Sequence, residues 1–187
     1  MGQVYDAIDE RLAAWLEAQH VVFVATAPLA ADGRVNVSPK GMAGTFRVLG
    51  PRLVGYLDYH GSGVETIAHL RENGRITVMF CAFDGRPRIV RLHGRGRVVL
   101  AGDAEFASLR AQFAKERTVA QRSVVLVDVD RIADSCGYAV PLMDFVADRT
   151  VLDLHQEKKG AAAYAAYAEG TNARSIDGLP GLTRRVP

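Results

Sequence analysis

Apolar residues first recur along the chain at helical spacing: Val4, Ile8, Leu12 and Trp15, with Asp6, Asp9, Glu10 and Glu17 largely on the other side. This predicts an amphipathic packing helix from about Val4 to Ala18. From His20 the period changes. Val21 to Thr26 is a β-branched run ended by Pro28, and Asp32-Gly33 is a hairpin signal. Val35 and Val37 alternate with Asn36 and Ser38, giving a strand with one apolar and one polar face until Pro39 and Gly41 interrupt it. Thr45 to Leu49 and Leu53 to Leu57 are two more strands, joined by Gly50-Pro51. Four strands so closely spaced indicate an antiparallel meander.

A helix follows, opened by Ser62 or Gly63, with Ile67 and Leu70 on one face and Asn73-Gly74 at its end. Ile76 to Phe83 is almost wholly apolar and reads as a strand covered on both sides. Between Arg88 and Leu100, Val90, Leu92, Gly94, Gly96 and Val98 point one way, and Arg91, His93, Arg95 and Arg97 the other. The two glycines suit a bend at a barrel corner. Asp103 caps a helix carrying Phe106, Leu109 and Phe113, and Ser123 to Val129 is the last clear strand. Beyond Cys136, only the alanine-rich stretch from Ala161 to Ala168 reads as helical, and Ser175 to Pro187 is turn-like.

The order is thus helix, four strands, helix, two strands, helix, strand, tail. It lacks the alternating βα units of a Rossmann sheet and predicts a mainly β fold, an antiparallel, partly open (split) barrel with helical insertions. No repeat or linker divides residues 1–187, so one domain is expected.

Composition narrows the class of function. Hydrophobic residues make up 49% and charged residues 24%, which is globular and not disordered. A net charge of +2 argues for neither a nucleic-acid nor a membrane partner. The first residues lack the order of a signal peptide, and no apolar run nears the roughly 18 residues of a membrane span. A cytoplasmic location is expected. Cys81 and Cys136 are too few for a disulfide framework, and the five histidines have no metal-type spacing, so the expectation is reduced thiols and no metal.

Four stretches carry candidate chemistry, one of them the small-residue loop Ser135 to Pro141 with its counterpart Ser175 to Gly181, which could sit against a ligand or simply turn the chain. Asp58-Tyr59-His60-Gly61-Ser62-Gly63-Val64-Glu65-Thr66 joins a strand to a helix N-terminus, whose free amides attract anions. Glycines allow close approach, and Ser62 and Thr66 add hydroxyls. The same residues also read as an ordinary capped helix, Ser62 at the cap and Glu65 answering it. In Ser38-Pro39-Lys40, the lysine could neutralise a phosphate or could be a solvated turn residue. Arg88, Arg91, Arg95 and Arg97 could meet an anion or form the wet side of a sheet, and no aromatics interleave with them as a nucleic-acid platform requires. No Ser-His-Asp arrangement or nucleophile elbow is present, and catalytic residues are not identifiable.

The ordered set resembles the flavin-binding split-barrel proteins of the pyridoxamine 5′-phosphate oxidase family. The resemblance runs from about Val21 to Leu100: strand, Asp-Gly hairpin, Ser-Pro-Lys, the strand ending Tyr56-Leu57-Asp58, the Ser-containing turn, the helix to Leu70 and Asn73, and Arg88-Ile89-Val90-Arg91-Leu92-His93-Gly94-Arg95-Gly96. It implies a homodimer with two FMN sites at the subunit interface and an oxidoreductase working on a small molecule or electron donor. It also implies that Ser38, Pro39 and Lys40 line the flavin, that Ser62, Gly63 and Thr66, in the turn from Asp58 through Gly61, approach its phosphate, and that Arg88 and Arg91 complete the site. The Cys136 to Pro141 and Ser175 to Gly181 stretches would cover it. The oxidases proper have Ser-Arg-Lys in the phosphate turn. Here it reads Ser62-Gly63-Val64-Glu65-Thr66, so the resemblance is to a relative and not to the B6 oxidase, and the counter-charge must come from Lys40, Arg88 or Arg91. A deazaflavin in place of FMN, its acidic tail on the arginine face, and a non-catalytic flavin-binding or sensor module are the alternatives.

Overall fold

The computed structural model describes residues 2–182 of the chain. Strand β1 (Val4–Tyr5) and helix α1 (Glu10–Glu17) are followed by β2 (Val21–Thr26), β3 (Asn36–Gly41), β4 (Phe46–Gly50) and β5 (Leu53–Tyr59). Helix α2 (Glu65–Glu72), β6 (Arg75–Cys81), β7 (Ile89–Leu100), α3 (Phe106–Arg110), β8 (Gln121–Ser135) and α4 (Val151–Thr171) complete the order. All pairings are antiparallel in one curled sheet ordered β3-β2-β6-β7-β8-β5-β4, with β1 added to β8. The sheet is a split barrel, as the sequence pattern implies, with β3 and β4 as its edges.

Alternation along each strand puts Val22, Val24, Val78, Phe80, Val90, Leu92, Val125 and Val127 on the inner face, where they form the main core with Val54 and Tyr56. Helix α1 closes one end with Leu12 and Leu16, each contributing about 1.5–3 kcal/mol by burial. Asp9 caps it, its carboxylate accepting the Leu12 amide at 2.7 Å. The N-terminal helix is therefore shorter than its apolar spacing predicts. Val4 and Tyr5 lie before the cap and pair with Ala133 and Ile132.

Strand β8 runs well beyond the expected 123–129 because two irregularities carry it round the barrel. One lies opposite His93 and Gly94, where Asp130 is the extra residue. A Cβ at Gly94 would sit 2.1 Å from the Asp128 carbonyl oxygen, so only glycine admits this approach. The Asp103 carboxylate accepts the Leu100 amide and closes the β7–α3 turn; it does not cap the helix. Helix α4 extends far beyond the alanine-rich stretch and bends at Gly160, whose φ is +74°. Of the turn-like C-terminus, 183–187 lies outside the described residues.

Candidate functional site

Strand β5 ends at the open side of the barrel with Asp58 on the inner face. Asp58 pairs with Ser123 but Tyr59 with Gln121, so β8 carries one extra residue there, Arg122. A bulge re-aims its side chain, and Arg122 Nε reaches Asp58 Oδ2 at 2.6 Å. Lys40 Nζ approaches the other oxygen, Oδ1, at 3.1 Å. Burial alone would raise the Asp58 pKa, but the charges of Lys40 and Arg122 outweigh it and hold the carboxyl below its ordinary range. Burial also pushes the nearby Tyr56 phenol well above its usual value.

Arg122 continues outward. Its Nη1 donates to the Gly63 carbonyl at 2.9 Å and to Asn172 Oδ1 at 3.0 Å, while Asn172 Nδ2 donates to the Gly61 carbonyl at 3.0 Å. The glycine turn is thus held by its carbonyls. Ser62 is exposed, and the Glu65 carboxylate folds back so closely that a Cβ on Gly63 would lie 2.2 Å from Glu65 Oε2. Val64 occupies the N-cap position of α2 with no side-chain cap, so Ser62 does not cap this helix.

Beside the turn, Asn36 Nδ2 donates to Thr26 Oγ1 and Thr66 Oγ1 at 3.1 and 3.0 Å, and Ser38 Oγ donates to Asn36 Oδ1 at 3.0 Å. Thr26 Oγ1 meets His69 Nδ1 at 2.9 Å. His69 is completely buried, its Nε2 has no hydrogen-bond partner, and burial pushes its pKa down against the pull of Glu65, Glu72 and Asp177.

The C-terminal segment lies across this group. Asp177 accepts the Arg34 amide at 2.8 Å and its guanidinium at 2.5 Å, the Ile176 amide donates to Glu65 Oε1 at 3.2 Å, and Arg71 donates to the Gly181 carbonyl. Gly181 packs so tightly against Val64 that a Cβ there would overlap it.

Ser38, Lys40, Asp58, Gly61, Gly63 and Thr66 are therefore brought to one polar mouth, with Ser62 at its rim. Pro39 points to the other face, in a row across the sheet with Phe23, Met79 and Arg91. These outward side chains are half-buried or exposed, and Arg91 Nη1 donates to Ser135 Oγ at 3.1 Å. Arg88 joins neither group. It bonds the Tyr5 hydroxyl at 2.8 Å, pairs with Asp134 at 3.4 Å and stacks over Trp15 at the α1 end of the barrel. Sequence reasoning missed Arg34, Asn36, Arg122 and Asn172, and reached Asp177 only as part of the Ser175 to Gly181 stretch expected to cover the site. Arg122 stands immediately before Ser123 to Val129, the last strand the sequence marks, whereas nothing local marks Asn172. Among the described residues, no cluster of three or more His, Cys, Asp or Glu side chains could hold a metal ion, and no helix is long and apolar enough to cross a membrane.

An antiparallel split barrel with a polar mouth beside a glycine turn defines the structural class. A sequence model for pyridoxamine 5′-phosphate oxidase matches residues 8–136. A pyridoxamine 5′-phosphate oxidase family protein, ustO of Aspergillus flavus, is 39% identical over 193 residues, covering 95% of this chain and 77% of that protein. The chain belongs to the pyridoxamine 5′-phosphate oxidase family. Among solved structures, HupZ of Group A Streptococcus shares the fold at TM-score 0.55 and 22% identity, over 68% of this chain and 99% of HupZ. An FMN-binding protein of Syntrophomonas wolfei aligns at TM-score 0.48 and 14% identity, over 72% and 85%.

Proposed function

We propose that the chain is a flavin-dependent oxidoreductase, with FMN as its cofactor, working as a homodimer on a small molecule or electron donor. Family membership supports the flavin. The observation that carries the reading is the outward row Pro39–Phe23–Met79–Arg91, three apolar side chains followed by a guanidinium. At about 4.8 Å between strands, Pro39 to Arg91 spans roughly 14 Å, enough for a fused aromatic ring.

A flavin phosphate also needs counter-charge, and here the fit is incomplete. The first turn of α2 carries Glu65 and no basic side chain, and Lys40 is engaged by Asp58. Ring-holding roles fall to Phe23, Pro39 and Met79. Ser38 and Lys40 are reachable from the β3 edge, and Arg91 is the cation of the row. Ser62 and Gly63 would face the phosphate, with Thr66, buried and bonded to Asn36, behind them. When bound, the flavin supplies hydride or electron transfer, and the protein supplies placement and electrostatics.

The homodimer is supported by the apolar side chains left in solvent beyond β8: Tyr138, Leu142 and Val146 are 82%, 79% and 93% exposed. A deazaflavin is the second reading, favoured by Arg75 and Arg95 standing opposite each other on the same outward face, where an acidic tail would lie.

The test is the visible spectrum of the purified protein, before and after incubation with FMN, with mass identification of anything released on denaturation. A colourless protein that acquires no flavin absorbance overturns the reading. Calorimetric titration separates FMN from deazaflavin, and turnover with NADH or NADPH and an acceptor separates an oxidoreductase from a carrier.

A further inference from the structure

We propose that the C-terminal segment from Asn172 to Leu182 is an intramolecular strap whose Asp177 carboxylate stands where an anionic ligand binds, so that such a ligand enters only when the strap lifts. The proposal goes beyond the flavin reading and depends on it only for which phosphate ester the ligand is.

Three observations converge. Arg34 presents both its amide and its guanidinium to Asp177, an arrangement suited to any carboxylate or phosphate. A second carboxylate, Glu65, is folded onto Gly63 and joined to the strap by the Ile176 amide. Beneath them His69 is wholly buried with Nε2 unpartnered, and the charges of Asp177 and Glu65 act on it. A buried polar atom without a partner marks a polar site not yet complete. The chain itself thus supplies the anions that its glycine turn and Arg34 would attract.

The strap is built to come away. Arg34 is about two-thirds exposed at 68%, so solvent and salt screen its ion pair. Ile176 is 66% exposed and Leu179 is only half-buried, so the Ser175–Leu179 turn is weakly anchored by apolar contact, while Asn172 and Gly181 fix the two ends against Gly61 and Val64. Segments with few buried apolar contacts open most readily. Arg34 also precedes the outward-facing Val37 by three residues, about 10 Å along an extended chain. A ligand with its ring on the β2–β3 face could therefore place its anionic end at Arg34.

The test compares wild type with Asp177→Asn and Glu65→Gln, using Asp84→Asn in the exposed β6–β7 turn as a charge-matched control. Orthophosphate, FMN and riboflavin are titrated calorimetrically into each full-length protein. Orthophosphate and FMN are expected to bind about tenfold tighter to Asp177→Asn, with riboflavin unchanged and the control like wild type. Glu65→Gln is read the same way and does not depend on the Asp177 variant folding. Equal orthophosphate and FMN affinities in wild type and both variants overturn the strap, as does a riboflavin gain matching that of FMN. Orthophosphate tightening with no flavin binding anywhere keeps the strap and removes the flavin reading. Flavin binding that ignores both substitutions does the reverse.

Discussion

Arg122 meets Asp58 because β8 is one residue longer than β5 at their junction. The pair is 2.6 Å apart with side chains 5% and 2% exposed, and Lys40 completes it from across the barrel opening. One extra residue thereby turns a strand end into a polar mouth and ties it, through Gly61 and Gly63, to the turn before α2.

Removing Arg122 leaves a buried carboxylate with only Lys40 beside it, so Arg122→Met should destabilise the fold by about 3–5 kcal/mol. Lys40→Met should cost less, because Lys40 is 22% exposed and Arg122 remains. Denaturant unfolding of both variants checks the order; equal losses would mean that Arg122 is not the principal partner of Asp58.

Stability should fall in two steps on acidification. His69 and His60 have folded pKa values lowered first by burial. The unfolded chain therefore takes up protons from about pH 6.5 downward while the fold resists, and stability declines from there until the lowered folded values are reached. Asp58 has the opposite charge but also a lowered folded pKa. Its contribution is present above about pH 3.9 and is lost as pH falls through the folded value. Unfolding free energies measured from pH 7.5 to 3 should show both limbs. His69→Gln should flatten the upper one, and an unchanged upper limb would remove His69 as its source.

Much of this was legible in the sequence where the signal was local. The alternation from Val90 to Val98 in β7 matches the faces those residues occupy, and the ordered strand, turn and helix pattern identified the family. Ser38, Lys40, Asp58 and Thr66 do converge. Pairing across distant strands was not legible. Arg122 acts through a bulge that exists only once β5 lies beside β8, and Asp177 acts on Arg34 from 143 residues away. The placement of Arg88 was not legible either: Tyr5, Trp15 and Asp134, from β1, α1 and β8, hold it at the α1 end of the barrel.

Cofactor binding offers a residue-level contrast. Lys40 lies on the edge strand β3 in the Ser38-Pro39-Lys40 stretch proposed to line the flavin, so Lys40→Ala should weaken FMN binding at least about tenfold, roughly 1.4 kcal/mol. Lys158, exposed on α4, should tolerate the same change. Fluorescence-quenching titrations of the two variants decide it, and equal effects would misplace the site.

Gly94 tests the barrel corner. A Cβ there meets the backbone oxygen of Asp128, which cannot swing aside, whereas one at Gly96 meets the flexible Leu70 side chain at 2.8 Å. Gly94→Ala should therefore cost about 2–3 kcal/mol and Gly96→Ala distinctly less. Thermal melts of both variants make the comparison; a tolerated Gly94→Ala would show that β8 can shift its register at Asp130.

Association in solution tests the apolar stretch beyond β8. Leu142 and Val146 lie in an extended segment held at intervals, by the Met143 amide on the Phe83 carbonyl, by Phe145 stacked on His20, and by Asp148 on the Ala43 amide. A segment so anchored keeps its apolar side chains in solvent at a continuing cost unless a second copy covers them, at about 25 cal/mol per Å² of apolar surface. Wild-type protein should sediment as a dimer of its 20.2 kDa chain. Leu142→Asp with Val146→Asp should give monomers that melt as independent folded units, since neither residue touches the barrel core. If wild type is monomeric at micromolar concentration, or the double variant still dimerises, this stretch is not the surface through which the chain pairs.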